Sequence, residues 1–244
     1  MSDRAKLDIP DSHAAFRRRF LDAADGMVTG GLPHAVSPVV HYRGDHDLNP
    51  GMDVPKDPRQ AAVLVPIVER DGQLTVILTR RSDDLPVHKG QISFPGGRVE
   101  DDNSNHIETA LRESEEEIGL HRGEVEVVGR LDTYVTRTGF SVTPVIGFVR
   151  PPLDLTPCPI EVAEIFEVPL GFVLDRANQE RHSREWQGKT RHFFVLPYKH
   201  YYIWGATAGM LVNLSDVMHA VSHSTVSPSA ASQSSFPPSS SPRG

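Results

Sequence analysis

A continuous apolar run, Ala61–Val68, places the strongest constraint on the fold of this chain. Such a run is typical of a strand covered on both faces, which requires a layer of structure on each side of its sheet. Pro66 counts against a central position, because proline cannot donate a hydrogen bond to a neighbouring strand. Asp71-Gly72 then predicts a tight turn into a second strand over Leu74–Thr79.

Strands and helices alternate along the rest of the chain. Apolar or alternating segments predict strands, and amphipathic segments predict helices. Further strands are expected at Val125–Leu131, Val142–Val149 and Ile165–Val168, with a hairpin of Arg181–Glu185 and His192–Leu196, and helical segments at 11–25, 105–118, 171–175 and 206–221. This mixture predicts an α/β fold, an α-β-α sandwich around a mixed β-sheet.

Composition divides the sequence into three parts. Residues 1–57 contain one amphipathic helix and most of an extended loop that is predicted over 35–60. We expect residues 1–57 to pack on the domain. Residues 58–221 carry the regular pattern and form the predicted domain. Residues 222–244 include ten Ser and four Pro and almost no aliphatic side chains, so we expect this tail to be disordered.

Charge and cysteine content limit the class of protein. The net charge of −7 suits a nucleic-acid backbone poorly, so no nucleic-acid partner is expected. Cys158 is the single cysteine, and no disulfide can form within the chain. The sequence shows neither a signal peptide nor an apolar stretch that could span a bilayer, so we expect no membrane partner and a cytoplasmic location.

The predicted helix over 105–118, which Gly119 should end, carries an unusual set of acids. Glu113, Glu116 and Glu117 fall on one face at i, i+3 and i+4. Like charges at these spacings repel by about 0.2–0.5 kcal/mol per pair, and the C-terminal end of a helix is unfavourable for anions. A hard divalent cation would explain the arrangement, and a solvated acidic surface is the alternative.

Two short motifs flank and close this helix: Phe94–Gly97 (FPGG) precedes it, and Arg112–Leu120 (RESEEEIGL) closes it. Together they resemble the Nudix box. In the box, a Gly is followed at a fixed distance by Arg-Glu, an apolar residue, Glu-Glu after one free position, and Gly after another. Here the interval between glycine and arginine is one residue longer than usual, Ser104 stands where the first Glu is expected, and Ser114 replaces the apolar residue.

A second motif runs from Leu78–Ser82 (LTRRS) to Phe94–Gly97. It resembles the motif of the coenzyme A pyrophosphatase branch of the Nudix family. Pro86 replaces an arginine of that motif, and His88 or Lys89 could supply the missing charge. The motif implies a substrate-binding set of Arg80, Arg81, Ser82, His88, Lys89, Gly90, Phe94 and Gly96.

This resemblance covers roughly residues 58–220 and implies a Nudix-type sandwich. It further implies hydrolysis of coenzyme A or a derivative to 3′,5′-ADP and 4′-phosphopantetheine, or its acyl form. Mg²⁺ or Mn²⁺ would neutralise the diphosphate and activate a water, and Arg112 would orient one of the box carboxylates. The implied catalytic residues are Arg112, Glu113, Glu116 and Glu117, and the implied metal ligands are Glu113, Glu116, Glu117 and the Gly97 carbonyl.

The sequence leaves several points open. The general base is either a box glutamate or an acid on a distant loop, for which Glu161, Glu164 and Glu167 are candidates. The substrate is a small nucleotide, either CoA-like or another nucleoside diphosphate derivative such as an oxidised dNTP, a dinucleoside polyphosphate or ADP-ribose. A third alternative is a Nudix module that binds a nucleotide without catalysis. The oligomeric state is open, with a homodimer as one option.

Overall fold

The computed structural model describes residues 9–27, 42–100 and 105–220; the tail over 222–244 lies outside them. The helices are α1 (His13–Met27), α2 (Asp45–Leu48), α3 (His106–Ile118), α4 (Leu170–Leu174) and α5 (Gly205–Ala220), with 3₁₀ turns at Arg122–Glu124 and Arg176–Asn178. The strands are β1 (Tyr42–Gly44), β2 (Arg59–Arg70), β3 (Gln73–Arg81), β4 (Ile92–Ser93), β5 (Gly96–Arg98), β6 (Val125–Arg130), β7 (Thr133–Val135), β8 (Phe140–Val149), β9 (Val162–Pro169), β10 (Glu180–Trp186), β11 (Lys189–Tyr198) and β12 (Tyr201–Trp204).

A large mixed sheet forms the centre of the protein. Its strand order is β1-β7-β8-β2-β3-β4, with β5 also on β2, β6 also on β8 and β9 also on β3. The β1–β7 and β2–β8 pairs are parallel, and the other pairs of this sheet are antiparallel. A second, three-stranded antiparallel sheet has the order β10-β11-β12. The α/β class with a mixed sheet is therefore confirmed.

Helices cover both faces of the large sheet, as the apolar run predicted. On one face, Ala110, Leu111 and Ile118 of α3 pack against Leu64 and Ile77 of the central strands. On the other face, residues of α1, α4 and α5 share a larger cluster with the remaining apolar side chains of β2 and β3. The α3 helix is therefore fixed on the sheet by its apolar face, and its acidic face is free for other contacts.

Pro66 lies inside β2, which is a central strand of the sheet. The proline alone counted against a central position for this strand. Leu64 donates its backbone N–H to Pro95 at 2.9 Å, so Pro66, two residues later, faces the same edge. On that edge β5 pairs with Ala61–Val63 and β3 pairs with Ile67–Arg70. Pro66 falls in the gap between these two partners, and its missing N–H therefore removes no ladder hydrogen bond.

The loop predicted over residues 35–60 is partly wrong, because β1, α2 and the start of β2 lie within it. Polar contacts stabilise this segment on the domain. Arg43 lies 3.1 Å from Asp132 and 2.8 Å from Asp216, and the hydroxyl of Tyr134 donates to Asp45 at 2.8 Å. These partners are distant in sequence, which is why local patterns did not reveal them.

Within residues 9–27, 42–100 and 105–220, none of the helices combines the length and apolar character that crossing a membrane would need.

Candidate active site

The geometry of α3 places its acids at a glycine-rich turn. Asn105 caps the helix by accepting from the N–H groups of Ile107 and Glu108, both at 2.9 Å. Gly119 ends it in the left-handed conformation, with φ of 70°. Between these ends the apolar face lies on the sheet, so the face with Glu113 and Glu117 is directed at β5.

Gly96 and Gly97 allow the β5 backbone to approach both β2 and α3. Gly96 has φ of 152°, and a side chain there would overlap the backbone of Ala62 and Val63. A Cβ at Gly97 would overlap the carboxylate of Glu113. The two glycines thus form a cradle in which the Glu113 carboxylate lies directly on the loop backbone.

Glu117 is a buried carboxylate with few partners, since only 4% of the residue is exposed. Its Oε2 accepts from the Gly96 N–H at 3.2 Å, and its Oε1 lies 3.9 Å from an Arg81 nitrogen. Burial raises the pKa of Glu117 to about 7, and the nearby charges of Glu161 and Glu113 act in the same direction. The protein thus holds an acid where its charged form is costly.

Arg112 bridges the two other acids of the box. It lies 2.8 Å from Glu113 and 3.1 Å from Glu116. Burial raises the pKa of Glu113 even though Arg112 opposes this shift. The Glu113 side chain is only 17% exposed, whereas that of Glu116 is 59% exposed.

The expected convergence of three box carboxylates is therefore not what the structure shows. Within the described ranges no three His, Cys, Asp or Glu side chains approach closely enough to hold an ion by themselves. Glu113 and Glu117 lie against the loop backbone, whereas Glu116 is more exposed and pairs with Arg112. Mg²⁺ typically uses one or two carboxylates, several waters and substrate phosphates. Glu117, whose nearest cation is 3.9 Å away, and Glu113 beside it on the glycine cradle fit such an ion, and Mn²⁺ prefers the same oxygen ligands.

Arg80 and Arg81 have different surroundings although they are adjacent. Arg80 lies 3.1 Å from Asp83 and 3.6 Å from Glu164, so acids of the protein already pair with it. Arg81 points to the opposite face, towards Glu117, and its buried Nε has no hydrogen-bond partner among the described residues. Of the two, Arg81 has unused hydrogen-bonding capacity directed at the acidic site.

The remaining predicted substrate-binding residues belong to the loop between β3 and β5. Ser82 is buried and donates its N–H to the Glu161 carbonyl at 2.8 Å. His88 contacts Gln91, Lys89 is exposed, and Gly90 adopts a φ of 63° that favours glycine. These contacts shape the loop and leave His88 and Lys89 accessible.

Phe94 and Gly96 take structural positions. Phe94 is 2% exposed and packs in the larger core cluster, so its ring cannot offer a stacking surface, which corrects its place in the predicted substrate-binding set. Gly96 contributes its backbone N–H to Glu117.

The three distant acids are not equivalent. Glu164 accepts from the Tyr201 hydroxyl and lies near Arg80, and Glu167 accepts from Arg70 at 2.9 Å. The charge of Glu161 raises the pKa values of both Glu113 and Glu117. The backbone ties this region together, because the Cys158 N–H donates to the Glu117 carbonyl at 2.8 Å.

Glu100 is an acid near the site that the sequence analysis did not single out. Its carboxylate lies 3.8 Å from Arg112. Ser104, where the box Glu was expected, is outside the described residues. The interval between Gly97 and Arg112 is one residue longer than usual. This indicated that the acid expected at Ser104 could stand at another position in the segment.

Comparisons with known proteins agree with this geometry. The model of the NUDIX domain family matches residues 58–186. Nudix hydrolase 15, mitochondrial, of Arabidopsis thaliana is 40% identical over 169 residues, which are 66% of this chain and 59% of the plant protein. Nudix hydrolase NudL of Escherichia fergusonii is 41% identical over 157 residues, which are 64% of this chain and 81% of the bacterial protein.

Solved structures include a Nudix hydrolase of M. smegmatis, RenU, with 25% sequence identity and a TM-score of 0.41 over 49% of this chain and 75% of that one. The family match spans more than half of the 244 residues and contains both the glycine cradle and α3. The chain belongs to the Nudix hydrolase family.

Proposed function

We propose that the protein is a metal-dependent hydrolase that cleaves the diphosphate linkage of coenzyme A or one of its derivatives. The observation that carries the proposal is the buried carboxylate of Glu117, which lies on the Gly96 N–H beside Glu113 and has no strong cationic partner. Family membership points to a divalent cation as the missing partner, and the two carboxylates with the adjacent backbone fit it.

Glu113 and Glu117, with the Gly97 carbonyl, would hold Mg²⁺ or Mn²⁺. Glu116 could join them if its side chain turned away from Arg112. When bound, the ion supplies positive charge that neutralises the diphosphate and makes water easier to deprotonate. Arg112 would fix the position of Glu113 through their ion pair.

Arg81 would bind the diphosphate, because its guanidinium faces Glu117 and its Nε has no partner in the described structure. A planar guanidinium can bind two phosphate oxygens at once. Arg80 would instead hold the loop through Asp83 and Glu164. His88 and Lys89 are accessible on the same loop and could contact the outer phosphate of the nucleotide.

Glu161 would act as the general base. Its charge raises the pKa values of Glu113 and Glu117, while Glu164 and Glu167 are engaged with Tyr201 and Arg70. Glu161 would accept a proton from water as the water oxygen bonds to phosphorus and the bond to the bridging oxygen breaks. The products are 3′,5′-ADP and 4′-phosphopantetheine, or its acyl form.

The choice of coenzyme A is supported by the motif from Leu78 to Gly97, and the alternatives within the family are other nucleoside diphosphate derivatives. Hydrolysis of CoA should therefore be compared with that of ADP-ribose, a dinucleoside polyphosphate and an oxidised dNTP, each with Mg²⁺ and with Mn²⁺. The proposal predicts the highest kcat/KM for CoA or an acyl-CoA, with 3′,5′-ADP as product.

The variant Glu117→Gln separates catalysis from binding. It keeps the shape of the side chain and removes its charge, so turnover should fall on the order of a hundredfold or more while the fold persists. A higher kcat/KM for another substrate would reject CoA but leave the hydrolase assignment. If the parent protein hydrolysed none of the substrates with either metal, or if Glu117→Gln matched the parent, the catalytic proposal would be wrong and the binding-module alternative would be favoured.

A further inference from the structure

One face of the small sheet, far along the chain from the catalytic helix, gathers cationic and aromatic side chains. Arg184 of β10 pairs with Arg191 of β11, and Trp186 pairs with Lys189. Trp204 of β12 pairs with a residue on the same side of β11. Because residues that pair directly across strands point to the same face of a sheet, these side chains share one face. The strand β10 forms the edge of this sheet.

Guanidinium groups and indole rings alternate on this surface. Arg137, from the turn before β8, lies 5.1 Å from the ring of Trp186, and Arg184 lies 5.4 Å from the same ring and 5.1 Å from Trp204. Phe193 packs edge-on against Trp204 at 5.5 Å. We call the surface formed by Arg137, Arg184, Trp186, Arg191 and Trp204 the Arg/Trp face.

The positive charge of the Arg/Trp face is not neutralised within the structure that is described here. Among those residues no carboxylate lies within ion-pair distance of Arg137, Arg184 or Arg191. The Nε of Arg191 is buried and has no hydrogen-bond partner there. In a chain of net charge −7, this concentration of unpaired cations is a local exception.

Stacking alone does not explain the arrangement. A guanidinium over an exposed indole contributes about 0.5–1 kcal/mol, which accounts for Arg137 and Arg184. It does not account for Arg191, because like charges directly opposite each other on neighbouring strands destabilise the pair. An anion between Arg184 and Arg191 would remove that repulsion and supply both arginines with an ion-pair partner.

We propose that the Arg/Trp face binds a nucleoside phosphate. The phosphate would be held by Arg184 and Arg191, and the base would stack on the exposed indole of Trp186, which is 39% exposed. Flat rings beside planar cations are the combination that recognises a base and its phosphate together. The face shares no residue with the candidate active site, so this proposal does not depend on coenzyme A being the substrate.

The chain offers a direct reporter, because it contains two tryptophans and both lie in the Arg/Trp face. Tryptophan fluorescence of the full-length protein, without divalent cations, would be followed during titration with AMP, adenosine and inorganic phosphate. The proposal predicts saturable quenching by AMP. Adenosine, which lacks the anion, and phosphate, which lacks the ring, should each bind at least about tenfold more weakly.

Four variants locate the ligand. Arg184→Ala should weaken AMP binding about tenfold or more, and Arg184→Lys, which keeps the charge but loses the planar fork, should fall in between. Arg150→Ala, an exposed arginine elsewhere, is the matched control and should bind AMP as the parent does. Arg81→Ala tests the active site and should also leave the titration unchanged.

Several results would overturn the proposal. An absence of quenching would do so, and so would equal affinity for inorganic phosphate and AMP. Binding of an oligoadenylate but not of AMP would also contradict it. So would AMP binding that is lost in Arg81→Ala but retained in Arg184→Ala. Each readout is binding to the metal-free protein, so none depends on whether the enzyme hydrolyses CoA.

Discussion

The carboxylate of Glu113 lies against Gly97 so closely that even a methyl group on the glycine would overlap it. This contact joins α3 to β5 and sets the position of one proposed metal ligand. The backbone conformation of Gly97 does not itself require glycine, because its φ is not in the left-handed region. Glycine is needed at this position because a side chain would overlap the Glu113 carboxylate.

Gly97→Ala should consequently displace Glu113 and lower turnover, by an expected tenfold or more, because misplacing a positioned group by about 1 Å can cost a hundredfold. Stability should fall by about 1–3 kcal/mol, as for other overpacked sites. CoA hydrolysis and urea unfolding measure the two effects.

A double-mutant cycle identifies the cause. If the overlap with Glu113 is responsible, Gly97→Ala should cost less stability when Glu113→Ala is already present. An equal cost in both backgrounds would assign the loss to strain in the β5 backbone.

The buried carboxylate of Glu117 should make the metal-free protein less stable as the pH rises. Burial raises the pKa of Glu117 to about 7, above the value of about 4.3 for an unfolded glutamate. Between these values the folded state binds more protons than the unfolded state, so the free energy of unfolding falls as pH rises through this window.

The comparison of Glu117→Gln with the parent isolates this effect. The variant should gain stability relative to the parent between pH 5 and pH 8, on the order of 1–3 kcal/mol, in urea unfolding with a chelator present. Glu108→Gln, on the exposed side of the same helix, is the control and should show no such gain. A pH-independent difference between Glu117→Gln and the parent would contradict the assignment.

Arg81 and Arg80 should differ in their effect on substrate binding. Arg81→Ala removes a guanidinium that faces Glu117, so KM for CoA should rise about tenfold or more. Dephospho-CoA, which lacks the 3′-phosphate, should show the same rise, because the proposed contact is to the diphosphate.

Arg80→Ala removes ion pairs to Asp83 and Glu164 and should mainly lower stability, by about 1 kcal/mol or less for such partly exposed pairs. Steady-state kinetics on both substrates and urea unfolding give the comparison. A larger KM effect for Arg80→Ala than for Arg81→Ala would reverse the roles proposed for the two arginines.

Glu161→Gln should lower kcat on the order of a hundredfold and change KM little, because a general base acts in the chemical step. Glu167→Gln is the matched control on the same segment, and its expected effect is a loss of stability through Arg70 and Thr75. A parental kcat in Glu161→Gln would assign the base to a box glutamate.

The sequence predicted the parts of the site that follow from local patterns. Helical spacing placed Glu113 and Glu117 on one face of α3, and the glycines before it indicated a close backbone approach. The sequence did not predict the greater exposure of Glu116, because that depends on which rotamer Arg112 adopts among three nearby acids.

Strand geometry could have separated Arg80 from Arg81, since adjacent residues of a strand point to opposite faces. Which of those faces carries the box acids depends on how β3 pairs with β2 and β9, and that pairing is not local. The role of Phe94 was misjudged for the same reason, because its burial depends on α5 and other elements distant in sequence.

The hydrogen bonds from Cys158 to the Glu117 carbonyl and from Ser82 to the Glu161 carbonyl have a consequence for how this site tolerates change. Both donors are backbone N–H groups, which every residue type except proline provides. Neither bond therefore depends on the kind of side chain at 82 or 158, and proline at either position would be the one substitution that removes its bond outright.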